Sequence, residues 1–560
     1  MLPTAEPQAL ARVHDSRSVV LVAVAILLVA VVVWPVVQLV YRSVVTDAGI
    51  GLAHYRRALT QPGQVRALLN TVSVGVGAAA AAVAVGASLA FLLVRTDVPG
   101  RTWLRTLLVL PYAIPPFFGA MAWAQLLGPE GYLTRPILAL LGLAEAPWSI
   151  YSAGGIIFVM AIHFFPFVFL TTAGALERMD ASLEEAARAS GAGTLQIMRD
   201  ITLPLVLPAV AAGGVLAFIG AIANFGIPAL LGLRARYYVL TTSVYAALHL
   251  PDFALATATS MLLVGVATVA LLAQWRLQRG EQRFAVIAGK SVRPQTLRLG
   301  RLRAPATGLT VALAVVIAVL PLTALLVTAL LRYYGAPLTA SSFSLRHFAY
   351  VVTQESIRRA AWNSTVLAMG TATIALLAAT VVSYARRAGL RGAAALDTLG
   401  MLPYALPHTV IGIAMILAWT RPPVMLYGTL TILLVAYLVA YLPYALRTTA
   451  ATLAQVHGSL EEAARVAGAG PFQAVRDIVA PLIRPGLVAG WILIFLPAFR
   501  ELTMSILLFG LRTETIGVVI FNLQDSGYTQ IAAALSVLVL AAILAGGLAV
   551  RAATRGQLGF

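Results

Sequence analysis

Seven residues, Ser182-Leu183-Glu184-Glu185-Ala186-Ala187-Arg188, recur letter for letter 277 positions later as Ser459-Leu460-Glu461-Glu462-Ala463-Ala464-Arg465. Adjacent carboxylates followed by alanines suit a short helix with a flat surface, which is chemistry for docking into a cleft rather than for bond cleavage. In the first copy Glu185-Ala186-Ala187 leads to Gly191 and Ile201 and closes at Leu203-Pro204. In the second, Glu462-Ala463-Ala464 leads by the same spacings to Gly468 and Ile478 and closes at Ala480-Pro481. The spacing predicts a helix capped by Ser182 or Ser459 with Glu185 or Glu462 at its third position. Glycine then ends the helix. A second short segment, carrying Arg199-Asp200 or Arg476-Asp477, runs up to the proline that opens the next apolar stretch.

Other chemistry is sparse. Zero cysteines exclude disulfides and thiolate sites, and His163, His347, His408 and His457 are scattered, so no metal ligands are assigned. Ala288-Gly289-Lys290-Ser291 imitates the end of a phosphate-binding loop, but Phe284 stands where the first glycine belongs.

Polar residues inside apolar stretches are the remaining candidates, because a charge centred in a bilayer costs about 2.5–3.5 kcal/mol on insertion scales. Arg500-Glu501 lies near the end of one such stretch, and the same displacement pairs Glu501 with Asn224 and Arg500 with Ala223. Two readings stand: these residues line a solute path or gate, or they form a self-satisfied pair at a break in the helix. Tyr112 and Tyr404 belong to a second repeated element, Leu110-Pro111-Tyr112-Ala113-Ile114-Pro115 and Leu402-Pro403-Tyr404-Ala405-Leu406-Pro407, displaced by 292. Its prolines begin or bend an apolar stretch, either as a flexing joint of the path or as a static kink. Asn70 and Asn363 are expected to cap the stretches they open.

The elements that must position these residues are membrane-spanning helices. Of 560 residues 60% are hydrophobic and 11% charged, with mean hydropathy +0.89, whereas a soluble domain carries about 25% charged residues. Runs near 18–40, 69–94, 107–127, 153–176, 203–232 and 255–275 give six spans, and runs near 306–331, 362–385, 397–419, 427–446, 482–509 and 529–550 give six more. The first run is too long for a cleaved leader and is read as a retained span with its N-terminus in the cytoplasm. The net charge of +18 is nearly all arginine and falls where inner loops are expected, at Arg95, Arg101 and Arg105, at Arg386, Arg387 and Arg391, and at Arg551 and Arg555 on a cytoplasmic C-terminus. That placement points to a membrane surface and not to nucleic acid. The expected organisation is a first half at 1–275 with its docking loop at about 177–203, a basic cytoplasmic linker at 276–305, and a second half at 306–560 with its loop at about 454–481. The two displacements differ by 15 residues, which places an insertion in the outer loop between Gly128 and Ser149. An even number of spans per half gives parallel repeats, which disfavours an inverted-repeat carrier driven by an ion gradient.

The paired loops resemble the pattern E-A-A-x3-G-x9-I-x-L-P of permease subunits in binding-protein-dependent ABC importers. The first copy matches throughout, and the second has Ala480 in place of leucine. The resemblance implies an all-α polytopic fold of about twelve spans, like the permeases of type I ABC importers, in an inner membrane. It also implies that each loop is a coupling helix, with Glu184, Glu185, Ala186, Ala187 and Gly191 in one copy and Glu461, Glu462, Ala463, Ala464 and Gly468 in the other. Two separate ATP-binding subunits would dock there and hold the ATP and magnesium, this chain having no cofactor and no enzymatic activity, and an extracytoplasmic protein would deliver the solute. Fusion of both halves in one chain is similar to the iron(III) and thiamine branch, and Phe499-Arg500-Glu501-Leu502-Thr503 to iron(III) permeases in particular. Iron(III) is the expected solute, with thiamine, phosphonate and polyamine as alternatives.

Overall fold

The computed structural model describes residues 21–46, 49–249, 252–281 and 296–553. Much of the basic linker, and with it the phosphate-loop imitation at 288–291, lies outside the described residues. Ten described helices are long and apolar enough to cross a membrane, and the number is twelve when each of two bent pairs counts as one span. Regular strand is confined, among the described residues, to a two-residue hairpin pairing Val45–Thr46 with Gly49–Ile50. The protein is an all-α polytopic membrane protein.

Two compact units form. One comprises Ala53–Val351 with Leu523–Leu538, the other Met1–Leu52 with Val352–Asn522 and Val539–Phe560. In the first unit the second span, Pro62–Arg95, packs along the fourth, Ala153–Arg178. The contact is made by small residues about one turn apart: Ala67, Thr71, Gly75, Ala78, Ala82, Gly86 and Ala90 are all buried. A Cβ on Gly86 would lie 2.8 Å from the Phe165 carbonyl oxygen, so only glycine permits this approach of two backbones. The fifth span, Thr194–Ala223, and the seventh, Gly300–Leu330, complete the layer, the latter against the helix Pro116–Leu127. The second unit repeats the arrangement. Its eighth span, Glu355–Arg387, buries Ala360, Ser364, Ala368, Thr371, Ala372, Ala375 and Ala379 against the tenth, Leu430–Ala454. The first span, Leu21–Val44, covers the helix His408–Trp419.

The third and ninth spans are sharply bent, by 100° between Arg101–Tyr112 and Pro116–Leu127 and by 112° between Ala393–Ala405 and His408–Trp419. The bend is not made at Pro111-Tyr112. Pro111 lies inside the first arm, and the break falls at Ile114-Pro115, as at Leu406-Pro407, where both residues are extended. A proline excludes its predecessor from the helical region, so the second proline of each hexapeptide sets the corner.

The fifth and eleventh spans are shorter than the apolar runs that contain them. They stop at Ala223 and Phe499, and separate short helices, Gly226–Ala235 and Ser505–Leu508, follow. Hydropathy does not register the break because both sides of it are apolar. Nor do Pro204 and Pro481 open these spans. The helical run has already begun at Thr194 and at Pro471 and continues through a wide turn, Met198–Thr202 or Val475–Val479, that accommodates the proline.

Candidate functional site

Both repeated loops fold as short helices, Ala181–Ala189 and Gly458–Val466. Each cap lies two residues earlier than the expected serine. The carboxylate of Asp180 accepts the Ser182 N–H at 2.9 Å, and Nδ1 of His457 accepts the Ser459 N–H at 3.3 Å. Asp180 and His457 are the last extended residues before the helix, so their side chains meet the free N–H groups and the serines are already inside. The C-terminal ends match the expectation of glycine. Gly191 at φ +88° sends its N–H to Arg188 and passes that of Ala192 back to Ala187, and Gly468 at φ +92° does the same with Arg465, Ala469 and Ala464. Both are Schellman turns, the geometry that a left-handed residue after the helix permits.

The adjacent acids separate by face. Glu185 and Glu462 are exposed, as are Ala186 and Ala463, while Ala187 and Ala464 are half-buried. Glu184 turns inward, 3% exposed, pairs with the guanidinium of Arg95 at the end of the second span, and accepts the Thr202 hydroxyl at 2.8 Å. Glu461 is held differently. It accepts the Tyr384 hydroxyl at 2.7 Å and pairs with Arg465 on its own helix at 2.7 Å. Behind the first helix, the segment after the linker docks on the same span end: Leu297 donates to the Arg95 carbonyl at 2.7 Å, and Leu299 donates to the Asp97 carboxylate at 3.0 Å. Large apolar side chains stand out around both loops, Leu183 and Leu195 in the first and Leu460 and Val466 in the second, with Leu195 79% and Val466 89% exposed. Exposed apolar groups beside exposed acids form a surface suited to a partner.

The second group lies at the helix breaks. Asn224 accepts the Ile227 N–H at 2.9 Å, and Glu501 accepts the Met504 N–H at 2.9 Å, so each caps the short helix that follows its span. Here the two halves part. The other oxygen of Glu501, Oε2, lies 3.2 Å from Nδ1 of His408 and 3.2 Å from the Tyr441 hydroxyl, whereas Asn224 uses its backbone carbonyl to accept the Thr241 hydroxyl. Arg500 ends the eleventh span beside Glu501. Tyr404 carries the Arg447 guanidinium 4.7 Å above its ring and lies 6.2 Å from Tyr444; Tyr112 is exposed and meets Phe167 edge-on at 5.2 Å. Asn70 and Asn363 do not cap their helices. They lie inside them, and Asn70 donates to the Tyr238 carbonyl while Asn363 donates to those of Arg512 and Glu514, tying down the chain after each short helix. Among the described residues no three His, Asp or Glu side chains converge on one point.

The sequence pointed to both loops and to Glu501 but missed Arg95, Thr202, Tyr384 and Tyr441. An arginine at the very end of an apolar span was the available signal for the first of these.

Comparison with known proteins places these features in a family. The family model "binding-protein-dependent transport system inner membrane component" matches residues 82–285 and again 371–556. The ferric transport system permease protein FbpB of Actinobacillus pleuropneumoniae is 25% identical over 544 residues, covering 94% of this chain and 76% of that protein. The Fe(3+)-transport system permease protein FbpB 2 of Haemophilus influenzae is 25% identical over 486 residues, 86% of this chain and 88% of that protein. The molybdenum transport system permease protein ModB of Escherichia coli is 33% identical over 168 residues, 30% of this chain and 71% of that protein.

Proposed function

This chain belongs to the binding-protein-dependent transport system inner membrane component family, and we propose on that premise that it forms the membrane path of an ATP-driven importer for ferric iron. Both termini face the cytoplasm. One ATP-binding subunit sits on each repeated loop and carries the ATP and magnesium, and the chain itself contributes no cofactor. Closure of those subunits is passed through Glu184, Glu185, Ala186, Ala187 and Gly191, and through Glu461, Glu462, Ala463, Ala464 and Gly468, to the spans behind them. The solute passes Asn224, Arg500, Glu501, Tyr112 and Tyr404, after delivery by an extracytoplasmic binding protein.

The observation that carries the reading is the pair of alike loop helices, each closed by the same glycine turn and each leaving its second glutamate and a large apolar side chain exposed. Iron is supported by the ferric permeases matched along most of the chain. A second reading, an oxyanion solute, is supported by the molybdenum permease matched over part of it. Purification of the assembly should recover two ATP-binding subunits per chain, and proteoliposomes charged with binding protein should take up ferric iron only with ATP inside. Arginine at both Glu185 and Glu462 should abolish uptake. An assembly without an ATPase, or uptake driven by an ion gradient, overturns the reading; uptake of molybdate or a phosphonate in place of iron overturns the solute alone.

A further inference from the structure

The two halves share a scaffold around the break after the fifth and eleventh spans but not its chemistry. The Pro115/Pro407 displacement places His408 opposite Pro116, and the Pro166/Pro443 displacement places Tyr441, Tyr437 and Tyr444 opposite Phe164, Met160 and Phe167. Glu501 faces Asn224 in the same alignment. The geometry survives these exchanges: Asn224 caps its helix as Glu501 does, and Tyr112 meets Phe167 as Tyr404 meets Tyr444. A scaffold that folds with proline, phenylalanine and asparagine does not need histidine, tyrosine and glutamate. Placing three polar groups in a spanning region is costly, and such groups mark solute paths.

Their arrangement has a specific chemistry. A carboxylate oxygen, a phenol oxygen and an imidazole nitrogen converge, with Nδ1 of His408 and Oη of Tyr441 each 3.2 Å from Oε2 of Glu501. Ligands about 2.1 Å from one cation and at right angles stand about 3.0 Å apart, so these separations are close to the edges of an octahedron. Carboxylate and phenolate oxygens with one imidazole suit a hard, highly charged first-row ion. Access exists from one side, since about a third of the His408 side chain is exposed (32%) while Glu501 is nearly covered. Tyr444, 43% exposed, has its ring 6.3 Å from that of Tyr441 and 6.2 Å from that of Tyr404.

We infer that His408, Tyr441 and Glu501 form a transit site for ferric iron in the second half alone. The inference rests on the iron reading above. On arrival of the ion the hydrogen bonds from His408 and Tyr441 to Glu501 give way to bonds from all three to iron: Tyr441 releases its hydroxyl proton to water as its bond to iron forms, and the neutral His408 ring gives up its Nδ1 proton to water and takes one on Nε2, which frees Nδ1 for the ion. Water or the delivering chelate fills the remaining positions. The corresponding positions of the first half, Pro116, Phe164 and Asn224, hold one neutral amide and no metal-binding set.

Ferric nitrilotriacetate titrated into the full chain in lipid nanodiscs is the test. The expected result is a visible phenolate-to-iron charge-transfer band that saturates at one iron per chain. Tyr441→Phe, which removes one oxygen, should lose the band, and His408→Gln should keep it with binding weakened about tenfold or more. Should Tyr441→Phe fail to fold, Glu501→Gln, which retains an oxygen for the Met504 cap, must weaken binding to the same degree. Phe164→Tyr in the first half should add no second band. Absence of the band in the wild type, or an undiminished band in Tyr441→Phe, overturns the site. Iron uptake by the reconstituted assembly separates the two failures: uptake without a band removes the site and leaves the iron reading, whereas uptake of another solute and no iron, with no band, removes both.

Discussion

The two halves keep the same caps, glycine turns and small-residue helix contacts, yet place their buried charge at opposite ends. In the first half it is at the loop: Glu184 is buried against Arg95 and Thr202, with the segment around Leu297 docked behind it. At its membrane break the neutral Asn224 stands where the other half has Glu501. In the second half the loop glutamate, Glu461, is held by a tyrosine and by an arginine of its own helix, and the buried carboxylate is Glu501, among the spans beside His408. Backbone capping and close packing tolerate little change and so persist in both copies, while side chains that only one copy needs have diverged. The first half locks its loop rigidly to the spans through a buried ion pair, and the second keeps its buried carboxylate at the break in its eleventh span.

The largest effect that tests this division is at the loop glutamates. Glu184→Ala leaves the Arg95 guanidinium buried without its carboxylate, a loss of about 3–5 kcal/mol. Glu461→Ala removes one hydrogen bond and a pair whose arginine is half exposed, and costs about 1 kcal/mol. Thermal unfolding of the purified chain should separate the two substitutions clearly, and equal shifts would end the claim that only the first loop is rigid. The double variant Arg95→Met with Glu184→Leu sharpens the result. It should recover most of the stability lost in Glu184→Ala, because a buried pair replaced by apolar groups is close to neutral.

The clamps on the chain beyond each break come next. The Asn363 amide reaches two carbonyls, at 3.1 and 3.0 Å, and Asn70 reaches one at 2.8 Å. A hydrogen bond contributes about 0.5–1.5 kcal/mol, and Asn363 makes two that are part-buried against one exposed bond of Asn70, so Asn363→Ala should lower the melting temperature more than Asn70→Ala. The reverse order would mean that the second clamp is held mainly by Ser364, whose hydroxyl accepts the Ile516 N–H at 2.9 Å. Smaller still, and equal in the two halves, should be Gly191→Ala and Gly468→Ala. Both residues sit at φ near +90°, with nothing within 4 Å of an added Cβ, so the cost is backbone strain alone, about 1 kcal/mol. A difference between them in partner-stimulated ATP hydrolysis, at equal melting temperature, would show that one loop is read more strictly.

What the sequence reveals here follows from what repeats. The spans, the tandem halves and both loops were legible because an apolar run of twenty residues and a seven-residue identity need no partner to be recognised. The caps were misplaced by two residues because the deciding fact, where the chain leaves the fourth span at Met179, is set by packing. Arg95 and Glu184 are 89 positions apart, and nothing local marks them as partners. The breaks at Asn224 and Glu501 were hidden inside unbroken hydrophobicity: a polar side chain there was visible, but only its bond three residues ahead shows that it ends one helix and starts another. Tyr441 was illegible for a different reason, since a tyrosine in an apolar span reads as ordinary packing until its hydroxyl is seen on a carboxylate.

The smallest effect concerns charge outside the membrane. His347, at the second position of the short helix Arg346–Thr353, stands where the first half has His54, 293 residues earlier. Its ring nitrogen Nε2 lies 3.0 Å from the Leu331 carbonyl. Burial first, and then the positive charge of Arg346, hold the imidazole below its ordinary range despite the pull of the Leu331 and Arg332 carbonyls. The native ring is therefore neutral where an unfolded chain has begun to take up a proton, at about pH 6.5 and below. Above that pH both states are neutral and the residue contributes no slope. As pH falls through 6.5 towards the lower native value, the unfolded state gains protons first and stability declines. His347→Gln should flatten this decline in melting temperature between about pH 6.5 and 5, with His54→Gln as the matched substitution in the other half. If His347→Gln steepened the decline, the ring would have to be charged in the folded protein, and the contact with Leu331 would be a stronger attraction than burial is a penalty.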